Sequence, residues 1–299
     1  MALALLFAAL GGHNRVALAD DWRAAIKVLR VGFVSAGSSS ADLTRLEPFR
    51  AYLAAHAGIP VELVPAVDGA SLVDAEVSGR VQYAIDSAVG YATAAARCAC
   101  VEPLAEPAAA DGSRGYYAIL LARVESPIRD LAGAAGARVA LSAADSVAGR
   151  LIPMKALAAA GVGPDSQVAT TYESAGPDEA VAALLDGRAD LAAAWSSLAG
   201  NVATGYSFGV LTREVADSHL AMDRVRVVWQ SRPIPFGPHT VQSNLPAELK
   251  TLLLNALVAM ATEAPDVLDA VDRSPSGGGG FVTITPEDYA PVAELVAPL

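Results

Sequence analysis

The chain has 299 residues, 53% of them apolar and 18% charged, with a net charge of −11. That length allows one large domain or two of roughly 130 residues, and the apolar content excludes a largely disordered chain. The acidic balance argues against nucleic acid or an anionic membrane surface as the main partner, though not against a small anionic ligand held by local dipoles.

Residues Ala2 to Leu10 form an apolar run of signal-peptide length, too short for the ~20 residues that cross a bilayer. Ala17-Leu18-Ala19 fits a small-x-small cleavage site. Residues 1–19 are therefore expected to be a secretory signal, although no Lys or Arg precedes the apolar run, and the mature protein is expected to be periplasmic.

From Lys27 the pattern alternates. KVLRVGFVSA reads as a buried strand and its loop, and Leu43, Leu46, Phe49, Tyr52 and Leu53 follow at helical spacing. PVELVPA is a strand, GASLVDAEVSGR a helix, QYAIDSA a strand and its exit, VGYATAAARC a short helix, and CVEPLAEP another strand. Such alternation predicts a largely parallel sheet covered on both faces.

The polar stretch Ala108 to Arg114 breaks the series, and GYYAILLARV follows as a long strand. A second alternating set contains ARVALS, a helix from Ala148 to Ala159, QVATTY, the helix PDEAVAALLDG, and ADLAAAW. RVRVVWQS precedes a proline-rich crossing, Pro246 opens a helix, and the tail holds a glycine loop, a short strand and a last helix. The GGGG run lacks a following Gly-Lys-Ser/Thr and is not a phosphate-binding loop. Connections near 110–116 and 232–240 suggest two lobes with a cleft, where ligands of open α/β sheets sit near helix starts.

Residues 144–153, ADSVAGRLIP, place a small-residue turn at such a start. Free backbone N–H groups there can hold an anion. Cys98 and Cys100 are the two cysteines. A disulfide between them would close a very small ring, and no histidine motif accompanies them to build a structural zinc site.

These stretches, taken in order, resemble the phosphate/phosphite/phosphonate family of periplasmic solute-binding proteins that feed ABC importers. The resemblance spans about residues 28–297 and is carried by RVGFVS, LEPFRAYLAAHAGIPVELVPA, SAVGYA, DGSRGYYAILLARVESPIRDLAGAAGARVAL, SVAGRLIPMKALAAAGV, LLDGRADLAAAW, SRPIPFGPHTVQSNLPAELK and GFVTITPEDYAPV. It implies a type 2 periplasmic-binding-protein fold of α/β class, with a mixed sheet in each lobe, a ligand in the interlobe cleft, no cofactor and no catalysis. Lobe 1 would comprise residues 28–110 and 240–299, and lobe 2 residues 111–239.

The implied site departs from the family pattern. Tyr91 matches an aromatic residue near the ligand, but Ser87 and Ala88 stand where Gly-Pro is expected. The family's Ser-Thr-Ser-Gly turn is Ser146-Val147-Ala148-Gly149 here, which removes two hydroxyl donors. A family histidine falls on Pro177 and an acidic residue on Trp195. Each hydrogen bond to a charged oxygen is worth roughly 1.5–3 kcal/mol, so a fully charged tetrahedral phosphonate fits poorly.

The CACVEPL stretch is also similar to an arsenite-sensing branch of that family, which signals to a membrane histidine kinase. A thiol ligand would suit a neutral arsenic oxyacid, which makes Cys98 and Cys100 candidate ligands beside the bland reading of a small buried or paired Cys-x-Cys. The sequence thus supports capture of a small oxyanion or oxyacid, by an arsenite sensor or by the binding component of a phosphonate or phosphite importer, with a membrane partner in either case.

From another class, Gly205-Tyr206-Ser207-Phe208-Gly209 matches the G-x-S-x-G elbow of secreted serine hydrolases, with Asp217 and His239 as candidate partners. The flanking sequence reads as loop before it and as no clear helix after it. His13, His56 and His219 stand singly, and Asp190 reads as a strand-start residue. Trp195 is divided between cleft and core, and of Tyr116 and Tyr117 at the first crossing one is expected to line the cleft and the other the core.

Overall fold

A computed structural model describes residues 22–35, 39–143, 146–162, 171–198, 206–217, 219–272, 274 and 277–296. The expected signal segment lies outside the described residues. Chain order runs α1 (Trp22–Ala25), β1 (Leu29–Val34), α2 (Ser39–Ala57), β2 (Val61–Ala66), α3 (Gly69–Val77), β3 (Tyr83–Ile85), α4 (Ala88–Cys98), β4 (Val101–Ala109) and β5 (Gly115–Arg123). It continues with β6 (Val139–Leu141), α5 (Ile152–Ala159), β7 (Thr171–Glu173), α6 (Pro177–Leu185), β8 (Leu191–Leu198), β9 (Tyr206–Gly209), α7 (Val210–Ala216) and β10 (Val225–Gln230). The last elements are β11 (Ile234–Pro235), β12 (His239–Gln242), α8 (Ala247–Glu263), α9 (Pro265–Val271), β13 (Gly278–Thr283) and α10 (Ala290–Val296).

Two sheets result. The first has the order β13-β4-β12-β3-β1-β2; the second runs β10-β5-β8-β6-β7, with β11 on β5 and β9 on β8. All strands of the first come from residues 29–109 and 239–283, and all strands of the second from 115–235. The chain crosses between the sheets at 110–114 and again at 236–238.

The largely parallel sheet read from the alternation is corrected to a mixed one in each case. β1 pairs with β2 and β3 in parallel, but β12 returns from the second lobe and inserts antiparallel between β3 and β4. β13 then adds antiparallel to β4. The glycine run is corrected too: Gly278 to Gly280 begin β13 and, with an irregularity in register, pair with β4. The helix expected from Ala148 opens instead as a π-turn over Val147–Leu151 before α5.

The helical spacing in α2 buries Leu46, Phe49, Leu53 and Ala57 against the first sheet. Full burial of each large side chain contributes about 1.5–3 kcal/mol. α8 covers the same core with Leu249, Leu253, Leu257 and Met260. In the second lobe β5 is buried continuously from Ala118 to Ala122, the pattern of a central strand covered on both faces. A further cluster joins the lobes, combining Ala88 and Tyr91 of α4 with Ala118, Ala148, Ile234 and Tyr289. Across the lobes Lys155 donates to the Glu294 carbonyl at 2.7 Å, and Arg232 meets the Glu294 carboxylate at 2.8 Å.

Candidate functional site

A cavity of about 420 Å³ lies where both lobes meet the crossing strand, lined by Asp86, Ser87 and Ala88 from the first lobe, Tyr116, Ser146, Val147, Ala148 and Trp195 from the second, and Pro235 to Gly237 between them. β3 ends just before Ser87, and the chain turns into α4 there. Ser87 is extended and its Oγ accepts from the Gly90 N–H at 2.9 Å, the geometry of an N-cap. Its O–H remains a donor.

The second lobe repeats this device. β6 ends at Leu141, and Ser146 caps the π-turn with its Oγ accepting from Gly149 N–H at 3.2 Å. The turn is closed by Ser142 N–H on the Gly149 carbonyl at 3.0 Å. A Cβ at Gly149 would strike the hydroxyls of Ser142 and Ser146, so glycine lets the turn pack this tightly. Arg150 points its guanidinium at the Ser142 carbonyl, 2.7 Å, and at Glu173, 3.3 Å. It does not line the cavity. Asp145 of the same turn lies outside the described residues.

The far wall is aromatic. The rings of Tyr116 and Trp195 are 5.7 Å apart at 70°, and those of Tyr116 and Phe236 6.2 Å apart at 26°. Beneath the α4 start lie two carboxyls, Asp86 and Glu76, each 2% exposed. Thr240 Oγ1 donates to Glu76 Oε1 at 2.8 Å. Glu76 Oε2 and Asp86 Oδ2 are buried without a hydrogen-bond partner. Burial, followed by the charge of Glu76, pushes the Asp86 carboxyl well above the usual range, and burial raises Glu76 as well.

Of the residues singled out in the sequence, Ser87, Ser146, Val147, Ala148 and Trp195 line this one cavity. Gly149 sits behind it in the turn. Tyr91 packs edge-on against Tyr289 at 4.9 Å and lies outside the lining. Cys98 and Cys100 are corrected as candidate thiol ligands: they are joined in a disulfide at the C-terminal end of α4. Eleven helical residues separate that end from Ser87, about 16 Å. Asp86, Phe236 and the Glu76 partner were not signalled by the sequence. A lone acid at a strand exit and another on a helix look like solvated residues until burial is known.

Tyr116 lines the cavity, whereas Tyr117 packs into the second-lobe core and borders a smaller cavity of about 240 Å³ at the crossing. There Glu106, 1% exposed, receives Arg114 Nε at 2.9 Å. The hydrolase candidates are not brought together. Gly205 lies outside the described residues, Ser207 sits inside β9, and Asp217 ends α7. The helix judged unclear from the sequence does form as α7. His239 belongs to β12 in the other sheet, with its Nδ1 on the Tyr83 hydroxyl. Asp190 pairs with Arg138 at 2.9 Å, and His56 packs on Tyr52 beside Glu263. Among the described residues no group of three or more His, Cys, Asp or Glu could hold a metal ion.

A family model described as the periplasmic substrate-binding protein of phosphonate ABC transporters matches residues 31–289. Among solved structures, XAC2383 from Xanthomonas citri, bound to ATP, is similar with a TM-score of 0.65 at 21% identity, over 91% of this chain and 96% of that one. PhnD1 from Prochlorococcus marinus in complex with methylphosphonate gives a TM-score of 0.58 at 15% identity, over 90% and 97%. A binding-protein component of a phosphonate ABC transporter from Pseudomonas aeruginosa gives 0.55 at 23%, over 90% and 85%. At these identities the likeness shows the fold, that of type 2 periplasmic binding proteins.

Proposed function

The chain belongs to the periplasmic substrate-binding proteins of phosphonate-type ABC transporters, and from that premise we propose that it captures a small solute between its lobes through Ser87 and Ser146 and presents it to a membrane permease. The observation that carries this reading is that two serine-capped helix starts, one per lobe, open on the same cavity. Each supplies an O–H donor and a positive helix end. A single oxyanion or other acceptor-rich head touching both would hold the lobes closed, which is how a binding protein reports occupancy.

The importer reading is preferred over the arsenite sensor coupled to a histidine kinase. That sensor reading rests on thiols, and Cys98 and Cys100 are bonded to each other at the opposite end of α4 from the cavity. Among the described residues no lysine, arginine or histidine lines the cavity, so a singly charged head suits it better than a dianion.

Calorimetric titration with a panel of methylphosphonate, phosphite, an alkylsulfonate, arsenite, ATP and small carboxylates tests the reading, with small-angle scattering to follow closure. Binding of at least one member, with compaction and with loss of affinity in Ser146→Ala, is the expected result. Compaction by a ligand whose affinity is unchanged in both Ser87→Ala and Ser146→Ala would overturn it.

A further inference from the structure

The two serines account for one end of the cavity, and the rest of it has a different chemistry. Tyr116 and Trp195 meet at 70° and form a corner, Phe236 lies nearly parallel to Tyr116, and Phe208 packs on Trp195 at 6.1 Å. The rings therefore hold one another in place before any ligand arrives, which lowers the ordering cost of binding. Aromatic faces carry negative quadrupole charge and attract cations.

The electrostatics point the same way. Among the described residues Asp86 is the one Asp or Glu in the lining, and none of the lining residues is basic. Behind it the Asp86 and Glu76 carboxyls are buried together, with Thr240 and the α4 start as polar neighbours. Among the described residues no lysine, arginine or histidine forms an ion pair with either. Burial raises both carboxyls, Asp86 further through the charge of Glu76, so both hold their protons more tightly than exposed acids do. An inorganic oxyanion would meet the ring faces unfavourably. It would also leave most of about 420 Å³ unfilled, a volume within the range of roughly 300–1,000 Å³ that encloses organic ligands.

We propose that the solute is an organic zwitterion whose alkylated ammonium group occupies the corner between Tyr116 and Trp195 while its single anionic end rests on Ser87 and Ser146. The inference rests on the capture function above and adds the class of ligand. The ammonium is recognised by the ring faces and the anion by the two helix starts, so neither end needs a basic side chain.

The test is calorimetry on the folded protein with trimethylglycine and choline, each beside the isostere in which an uncharged tert-butyl group replaces the ammonium (3,3-dimethylbutyrate and 3,3-dimethylbutanol), and with carnitine and methylphosphonate. Trimethylglycine or carnitine should bind at least tenfold more tightly than the tert-butyl carboxylate and than methylphosphonate. Trp195→Ala should remove at least tenfold of that affinity, while Trp195→Phe, which keeps a ring face, should retain most of it. Equal affinity for ammonium and tert-butyl forms would overturn the ammonium assignment. So would tighter binding of methylphosphonate, although the capture function would stand if Ser146→Ala weakened that binding. If no member of either panel bound, the ligand class and the capture function would fall together.

Discussion

Ser87 and Ser146 belong to different lobes, yet each caps a helix start that opens on one cavity, through Oγ to the N–H of Gly90 and of Gly149. Each hydroxyl therefore has a structural bond as acceptor and a free donor for a ligand. Ser146→Ala and Ser87→Ala should each weaken solute binding by about 1–3 kcal/mol. Each should also cost about 0.5–2 kcal/mol of stability through the lost cap. Calorimetry and denaturant melts on the same samples separate the two effects. Val147→Thr with Ala148→Ser adds two hydroxyls to the turn and should raise affinity for phosphate-like anions. Unchanged solute affinity in all of these variants would remove the turn from the site.

The Cys98–Cys100 disulfide bridges the end of α4, where Ala99 is held at φ 48°. Its loop is very short, so the chain-entropy argument gives a stabilisation of only about 1–2 kcal/mol. Reduction, or Cys98→Ser with Cys100→Ser, should lower the melting temperature modestly and change solute affinity by less than twofold. Ala99→Gly should be neutral or stabilising by up to about 1 kcal/mol, because glycine adopts that backbone conformation without strain. A large affinity loss in the double serine variant, with arsenite among the ligands tried, would restore the thiols as ligands.

The alternation of strands and helices was legible because it depends on local periodicity. The return of β12 between β3 and β4 was not, since nothing in HTVQ marks which strands it will join. The serine turn could be read from its small residues before a helix. The aromatic corner could not be, because Tyr116 and Trp195 meet through the pairing of β5 with β8 and Phe236 joins them from the return crossing, three segments far apart in the chain. Glu76 and Asp86 were missed for a related reason: burial is a property of the assembled lobe, and charge in a sequence reads by default as exposure.

Glu106 gives the crossing a pH dependence. Burial raises its carboxyl from 4.5 to about 7, against the pull of Arg114. Between those values the folded protein holds a proton that the unfolded chain has released. The stability contributed by this group is therefore fully present below about 4.5 and is lost as pH rises through 7. The displacement corresponds to about 3 kcal/mol. Glu106→Gln keeps an acceptor for Arg114 and cannot ionise, so its melting temperature should fall less than that of the wild type between pH 5 and 7.5. Parallel curves for the two proteins would remove Glu106 as the titrating group.

Gly237 lies on the return crossing against the start of α4. A Cβ there would strike the Asp86 carbonyl and come within 2.9 Å of the Ser87 Cα. Both obstacles are backbone and cannot rotate away, and Asp86 N–H is also tied to the Pro238 carbonyl at 3.0 Å. Gly237→Ala must therefore push the crossing strand off the helix start, displacing Phe236 and Ser87 together. The expected cost is about 1–3 kcal/mol of stability and a loss of solute affinity larger than that of Ser87→Ala. Gly69→Ala is the matched control, since a Cβ there meets nothing within 4 Å, and it should stay within about 0.5 kcal/mol of the wild type. If Gly237→Ala matched that control in melts and kept full affinity, the close approach of crossing strand and helix start would not be what sets the shape of the cavity.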